Sequence, residues 1–181
     1  MNKQVWIEKA LGLGIQEFEI YQSTTVEKEM TWFQGQMDTL VSSKVTGTSI
    51  RGIVDGKMAN MALEEVNDDQ CEIILKSLIE QAHIISNEET DSLRKPEPIE
   101  YAKKDVTWNM ASTEYVKDIL QSLEAKILAY DPRVIQVGYL GYSQGSGSRS
   151  IVNSLGMDVQ DADEMQYIVA SVVVKENDGR T

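Results

Sequence analysis

The chain contains one cysteine, Cys71, and one histidine, His83, in 181 residues. A lone cysteine excludes an internal disulfide and fits a reducing compartment, so the expected location is cytoplasmic. A lone histidine excludes the multi-histidine ligand sets that zinc usually takes. It also leaves any serine nucleophile almost without a base to draw on. Long apolar runs are missing too, since none approaches the roughly 20 residues that a membrane span needs. The N-terminus, "MNKQVWIEKALGLG", carries a lysine followed by an apolar pattern broken by a glutamate, which is not a secretory signal. Basic residues are scarce: 17 Lys and Arg stand against 29 Asp and Glu, a net charge of -12. Nucleic-acid affinity comes mostly from cations neutralising phosphates, and no basic run exceeds "AKK" at 102–104, so no nucleic-acid partner is expected. Anionic membrane surfaces are disfavoured for the same reason.

What is present suits a folded protein. Hydrophobic residues make up 41% and charged residues 25%, ordinary values for a globular chain of a length that buries a core without staples. Residues 3–13 have a helical pattern with Ile7, Ala10 and Leu11 on one side, and Gly12 and Gly14 as stop signals. "EFEIYQ" then alternates as a half-buried strand does, with Glu17 and Glu19 on the face expected to be wet. "TTVEKEMTWF", "MDTLVSSKV", "TSIRGIV" and "KMANMAL" extend this to about five short strands, with turns at Gly35 and at Asp55-Gly56. Asp-Gly is the strongest hairpin signal in the chain, and antiparallel pairing is the natural reading.

Asn67 is a suitable N-cap, with Gln70 three residues on. Cys71, Ile74, Leu75, Leu78, Ala82 and Ile85 follow at helical spacing. "SNEETDSLRKPEP" holds two of the three prolines and reads as a linker. A second helix is expected from about residue 113, with Val116, Ile119, Leu120, Leu123, Ile127 and Tyr130 on its apolar face and Asp131-Pro132 as its stop. The last third is strand-rich: "RVIQVGYLGY", a flexible hairpin loop at "SQGSGS" with Arg149 at its exit, "RSIVNS", and "MQYIVASVVVKE". The final run has the apolar character of a central strand. It meets a second hairpin signal at Asp178-Gly179 without a returning strand, so the expectation is that the protein continues past Thr181.

The fold class expected is α+β, with largely antiparallel sheets and packed amphipathic helices. The expected organisation is an N-terminal α+β domain at 1–88, a linker or long loop at 89–111, and the start of a second, central α+β region at 112–181.

Candidate sites are few. Ser154, in "NSLG", lacks the G-x-S-x-G context of a nucleophile elbow. Asn and Gly tolerate positive φ, and Ser hydrogen-bonds local backbone, so turn chemistry is favoured over nucleophilic chemistry there. His83 lies near a helix end, where the dipole favours its charged form, and it reads as structural or surface. "GYLGYSQGSGSRS" lacks the G-K-[ST] of a phosphate loop. Asp158, Asp161, Asp163 and Glu164 lack the glycine of a calcium loop and read as a solvated edge. No catalytic residue, metal ligand or cofactor is expected within 1–181.

The succession of these pieces resembles the N-terminal portion of the TldD/PmbA family, metalloprotease-related proteins once labelled modulators of DNA gyrase. "ALGLGIQEFEIYQS" resembles the family's opening helix, glycine and first strand. "WFQGQMDTLVSSKVTGTSIRGIVDGKMANMAL" resembles its glycine-turn strand pair and arginine/Asp-Gly hairpin, placing Asp55 and Gly56 in the hairpin turn. "CEIILKSLIEQAHII" takes the place of its alanine-rich helix. "DPRVIQV" and "RSIVNSLGM" fall where the family has a helix-to-strand step and an Asn-Ser-x-Gly turn, so Asn153, Ser154 and Gly156 match a structural turn, and "VVVKENDGR" resembles the strand and turn beyond it. The "NSLGM" turn resembles PmbA-like members slightly more.

The resemblance implies a non-catalytic N-terminal part of a zinc-dependent peptidase, or of its inactive partner subunit, acting in peptide maturation or degradation. It would enclose unfolded or extended peptide and build the subunit interface. The implied partners are peptide and a family-related subunit or a second copy. Zinc would be held elsewhere in the full-length protein or by its partner. A stand-alone peptide-binding or assembly module without enzymatic activity is the alternative.

Overall fold

The computed structural model describes residues 1–86, 90–98 and 110–176. In chain order the elements are α1 (Lys3–Gly12), β1 (Glu17–Phe33), β2 (Gln36–Val54), β3 (Lys57–Leu63), α2 (Cys71–Ile84), α3 (Thr113–Tyr130), β4 (Val134–Asn153) and β5 (Asp158–Val174). The strands form one five-stranded sheet in the order β3-β2-β1-β4-β5. The architecture is α+β with antiparallel strands, as expected. Contacts divide the chain into two compact units that interleave along it: 1–24, 45–105 and 148–162 in the first; 25–44, 106–147 and 163–181 in the second.

In the first unit the core is built on one face of the sheet. Trp6, Ile7 and Ala10 of α1 and Cys71, Leu75, Leu78 and Ala82 of α2 pack with Phe18, Ile20, Ile50, Val54 and Ala59 from the strands. Each fully buried large side chain contributes about 1.5–3 kcal/mol of transfer free energy. Trp6 is buried while Leu11 is 44% exposed, so the inward stripe of α1 lies nearer its start than the pattern indicated. The Trp6 indole donates to Asp68 Oδ1 at 2.7 Å, which satisfies its one polar atom. Gly52 marks the closest approach of this core to the sheet. A Cβ there would stand 2.9 Å from Ile15 Cγ2 and 3.0 Å from Leu78 Cδ2.

The second unit packs α3 on Met30, Trp32, Val137, Leu140 and Tyr142 through Val116 and Leu120, with Leu123 and Ile127 at the margin. Ser112 caps α3 by accepting from Tyr115 N at 3.1 Å. Tyr130 leaves the apolar face and is 89% exposed, because the helix ends there. Glu124 stands on the inward side instead, and its Oε2 accepts from Trp32 Nε1 at 2.8 Å and Gly35 N at 3.0 Å.

Three local expectations are corrected. The pieces expected as four strands before Asp55 are two long ones. At the supposed breaks, Thr24 and Thr46 hydroxyls lie 3.0 Å apart and Gln22 Nε2 donates to Thr48 Oγ1 at 3.3 Å, so polar residues keep the strands paired where the apolar alternation lapses. "SQGSGS" is not a hairpin loop but part of β4. Its glycines admit cross-strand side chains: a Cβ on Gly147 would meet Asp163 Oδ1 at 2.8 Å. Asn67 caps a single 3-10 turn, Asp68–Gln70, by accepting from Asp69 N at 3.0 Å, while Gln70 makes no side-chain cap to α2. Among the described residues β5, with its apolar run, stands at the edge of the sheet, consistent with an apolar strand whose next neighbour is not among them. The hairpin signal at Asp178-Gly179, much of the 89–111 linker and "AKK" at 102–104 lie outside the described residues.

No described helix is long and apolar enough to cross a membrane.

Candidate functional site

The turn between β4 and β5 is tied into the first unit by Asn153. Its side chain is 4% exposed and uses both ends. Oδ1 accepts from Leu155 N at 3.0 Å and Met157 N at 2.9 Å, closing the turn. Nδ2 donates to Glu19 Oε2 at 3.1 Å and to the Arg94 carbonyl at 2.9 Å. An amide is the one side chain of this size that both accepts and donates in this way. Gly156 takes φ +95°, a conformation that strains any residue with a Cβ. Ser154 closes two rungs with β1: its N donates to the Phe18 carbonyl at 2.8 Å and its Oγ accepts from Phe18 N at 2.9 Å. The hydroxyl thus serves a strand 136 positions away and not its local backbone.

Glu19, expected on a wet face, is 4% exposed. Arg51 reaches over it, with Nε and Nη2 each 2.7 Å from Oε1. Burying a carboxylate is tolerable when its oxygens are occupied by charged and polar donors. With one oxygen on Arg51 and the other on Asn153, Glu19 is placed to hold β1, β2 and the turn together, not to move a proton. Glu17 behaves similarly, accepting from Leu93 N at 2.6 Å and Ser92 Oγ at 3.1 Å. Beside this cluster lie two shallow cavities of about 270 and 290 Å³ that share Tyr21 and Ile151. The first is lined by Glu19, Ser49 and Arg51, the second by Arg149, Val159 and Asp161.

Asp55 and Gly56 form the two-residue turn between β2 and β3, with φ of 49° and 75° and Val54 paired to Lys57. Both positive angles match the twist of the flanking strands. His83 Nε2 lies 3.7 Å from Asp55 Oδ2, and both side chains are exposed. Cys71 is fully buried, and burial pushes its thiol up, away from the reactive thiolate. Among the described residues no three His, Cys, Asp or Glu side chains converge where a metal ion could sit. The described side chains therefore do not fit a resident zinc.

The second unit offers a different feature. From Asp163 to Val172 every residue of β5 is exposed, on both faces of the strand. Met165 is 62% exposed, and Tyr167, Ile168, Val169, Val172 and Val174 lie on the same strand, each well exposed. An edge strand carries a row of backbone N–H and C=O groups that sheet pairing does not use. Here that row is flanked by apolar side chains. The hairpin signal at Asp178-Gly179 without a returning strand pointed to an apolar strand lacking a neighbour, whereas Glu19 and Arg51 gave no signal beyond ordinary alternation.

Comparison with known proteins follows these lines. Residues 18–86 match the profile described as PmbA/TldA metallopeptidase domain 1, and residues 107–181 match the PmbA/TldA metallopeptidase central domain. Among solved structures, a proposed modulator of a DNA gyrase from Thermotoga maritima is similar over 97% of this chain and 40% of its own length. It superposes with a TM-score of 0.77 at 18% identity. TldE from Thermococcus kodakarensis gives the same coverages and TM-score at 19% identity. A proposed modulator of DNA gyrase from Bacteroides thetaiotaomicron covers 96% of this chain and 40% of its own, with a TM-score of 0.71 and 17% identity. At such identities the likeness concerns the fold. The chain spans about 40% of the length of these structures. No functionally curated protein matches the sequence.

Proposed function

Since the chain belongs to the PmbA/TldD family of metallopeptidase-related proteins, we propose that it is the non-catalytic, N-terminal part of a zinc-dependent peptidase or of that peptidase's inactive partner subunit. In this reading the zinc and the bond cleavage reside outside residues 1–181. The chain's contribution is to hold extended peptide and to form part of the wall between subunits.

The observation that supports this reading is the edge of β5. A peptide substrate must be held in extended form before its bonds are accessible, and a free sheet edge does this with main-chain hydrogen bonds of little sequence preference. The exposed Met165, Tyr167, Ile168 and Val169 add apolar contact on both faces of the added strand. In the first unit, the Asn153 turn and the Glu19–Arg51 pair fix the β4–β5 connection, which holds the start of β5 in register.

The test uses a labelled, capped peptide of alternating valine and serine. Fluorescence anisotropy should rise on addition of the chain, and N-methylation of alternate peptide amides should abolish the rise, because the lost N–H groups are the ones that pair. If the methylated and unmethylated peptides bind alike, or if neither binds, strand addition is not what this chain does.

A further inference from the structure

In the second unit a cavity of about 520 Å³ opens beside α3 and the β1–β2 turn, and Glu124 lines it. Position 124 continues the inward row that runs Val116, Leu120 at helical spacing, where an apolar residue would pack best. The structure holds a carboxylate there, 8% exposed. Both of its hydrogen bonds, from the Trp32 indole and the Gly35 amide, fall on Oε2. Among the described residues Oε1 accepts none. Oε1 therefore keeps its capacity for a further donor, and a carboxylate this little exposed is stabilised most by a charged one.

The rest of the lining says what that partner is. Gln34, Gln121 and Gln136 line the cavity and add amide acceptors, while Leu128 and Ile135 supply apolar surface. A carboxylate and amide acceptors together with apolar side chains in one lining match a side chain that has a long aliphatic stem and a positively charged, donor-rich head. An anion would be repelled, and a purely apolar group would seal Oε1 without a hydrogen bond. We propose that this cavity receives a basic side chain, arginine in the first place, carried by the peptide that the chain holds. The identity of the carrier rests on the peptide-holding reading above; the chemistry of the cavity does not.

The test is a titration of the full chain with N-acetyl-arginine amide, followed in 1H–15N spectra at the Trp32 indole N–H and the Gly35 amide, the two groups bonded to Glu124. Both signals should shift saturably, and N-acetyl-citrulline amide, of the same shape without the charge, should move neither. Glu124→Gln keeps an acceptor for both donors and removes the charge, so it should weaken arginine-amide binding by about tenfold or more. A citrulline probe that binds as well as arginine, an unchanged affinity in Glu124→Gln, or no shift up to the solubility limit overturns the proposal. If the neutral valine–serine peptide binds the chain while arginine amide leaves Trp32 unmoved, this inference falls and the proposed function stands. If arginine amide binds but no peptide does, the cavity is confirmed as a guanidinium site and the peptide is overturned as its source.

Discussion

Replacing Asn153 with alanine should be among the most damaging single changes in the first unit, although the residue sits in a turn. The substitution removes the oxygen that accepts the two bonds closing the turn and the nitrogen that donates two more, one of them to the buried Glu19 carboxylate. Each hydrogen bond contributes about 1 kcal/mol net, and one to a charged group about 1.5–3 kcal/mol. The Leu155 amide regains part of this from water, since its bond is only part-buried, whereas the Met157 bond is buried. A net loss of roughly 3 kcal/mol follows. For a chain of this size that lowers the melting temperature by roughly 6–12 °C.

Urea unfolding followed by circular dichroism measures the loss as a shift in midpoint at constant slope. Asn153→Asp is the sharper control. It keeps the oxygen that accepts both turn-closing bonds, yet it sets a carboxylate oxygen where Nδ2 now stands 3.1 Å from Glu19 Oε2. It should be destabilised about as much as Asn153→Ala at neutral pH, by like-charge repulsion. Ser154→Ala, which removes one acceptor from Phe18 N, should cost only about 1 kcal/mol. An Asn153→Ala chain within about 0.5 kcal/mol of the parent, the range of inert surface changes, would show that the turn does not anchor β4 to β1.

Three further outcomes are expected. Gly52→Ala forces its Cβ against Ile15 and Leu78 and should destabilise by about 1–3 kcal/mol, read in the same urea experiment. Leu120→Ala opens a void where α3 meets the sheet and should cost about 2–5 kcal/mol. Asp131 is held down at about 2 by the hydrogen bonds and charge of Arg133. Its folded-state pKa lies below the unfolded value, so its contribution to stability is present above the unfolded pKa of 3.8 and disappears as pH falls towards 2. Carboxyl NMR titration should place its midpoint there, and Arg133→Gln should return the midpoint towards the ordinary range.

The parts of the fold that were legible in the sequence are those whose signals are local. The α2 stripe of Cys71, Leu75, Leu78 and Ala82 follows directly from helical spacing, and the Asp55-Gly56 turn from backbone chemistry in two residues. The α3 stop at Asp131-Pro132 is of the same kind. What could not be read was decided by partners far away in sequence. Glu19 looks like any outward residue of an alternating strand until Asn153, 134 positions on, and Arg51 are brought to it. "SQGSGS" has the composition of a loop, and only a neighbouring strand whose side chains lie over its glycines makes it a strand. Glu124 interrupts an apolar stripe in a way that charge on a helix commonly does, and its burial depends on Trp32 and Gly35, roughly 90 positions before it.

The proposed function has the edge that β5 forms among the described residues take up an extended chain. Residue-resolved amide hydrogen exchange on the full chain, with and without the valine–serine peptide, tests it most directly. The account predicts slower exchange for amides between Asp163 and Val174, with α1 and α2 unchanged. Protection confined to other elements, or none at all at a peptide concentration that saturates the anisotropy signal, would contradict it.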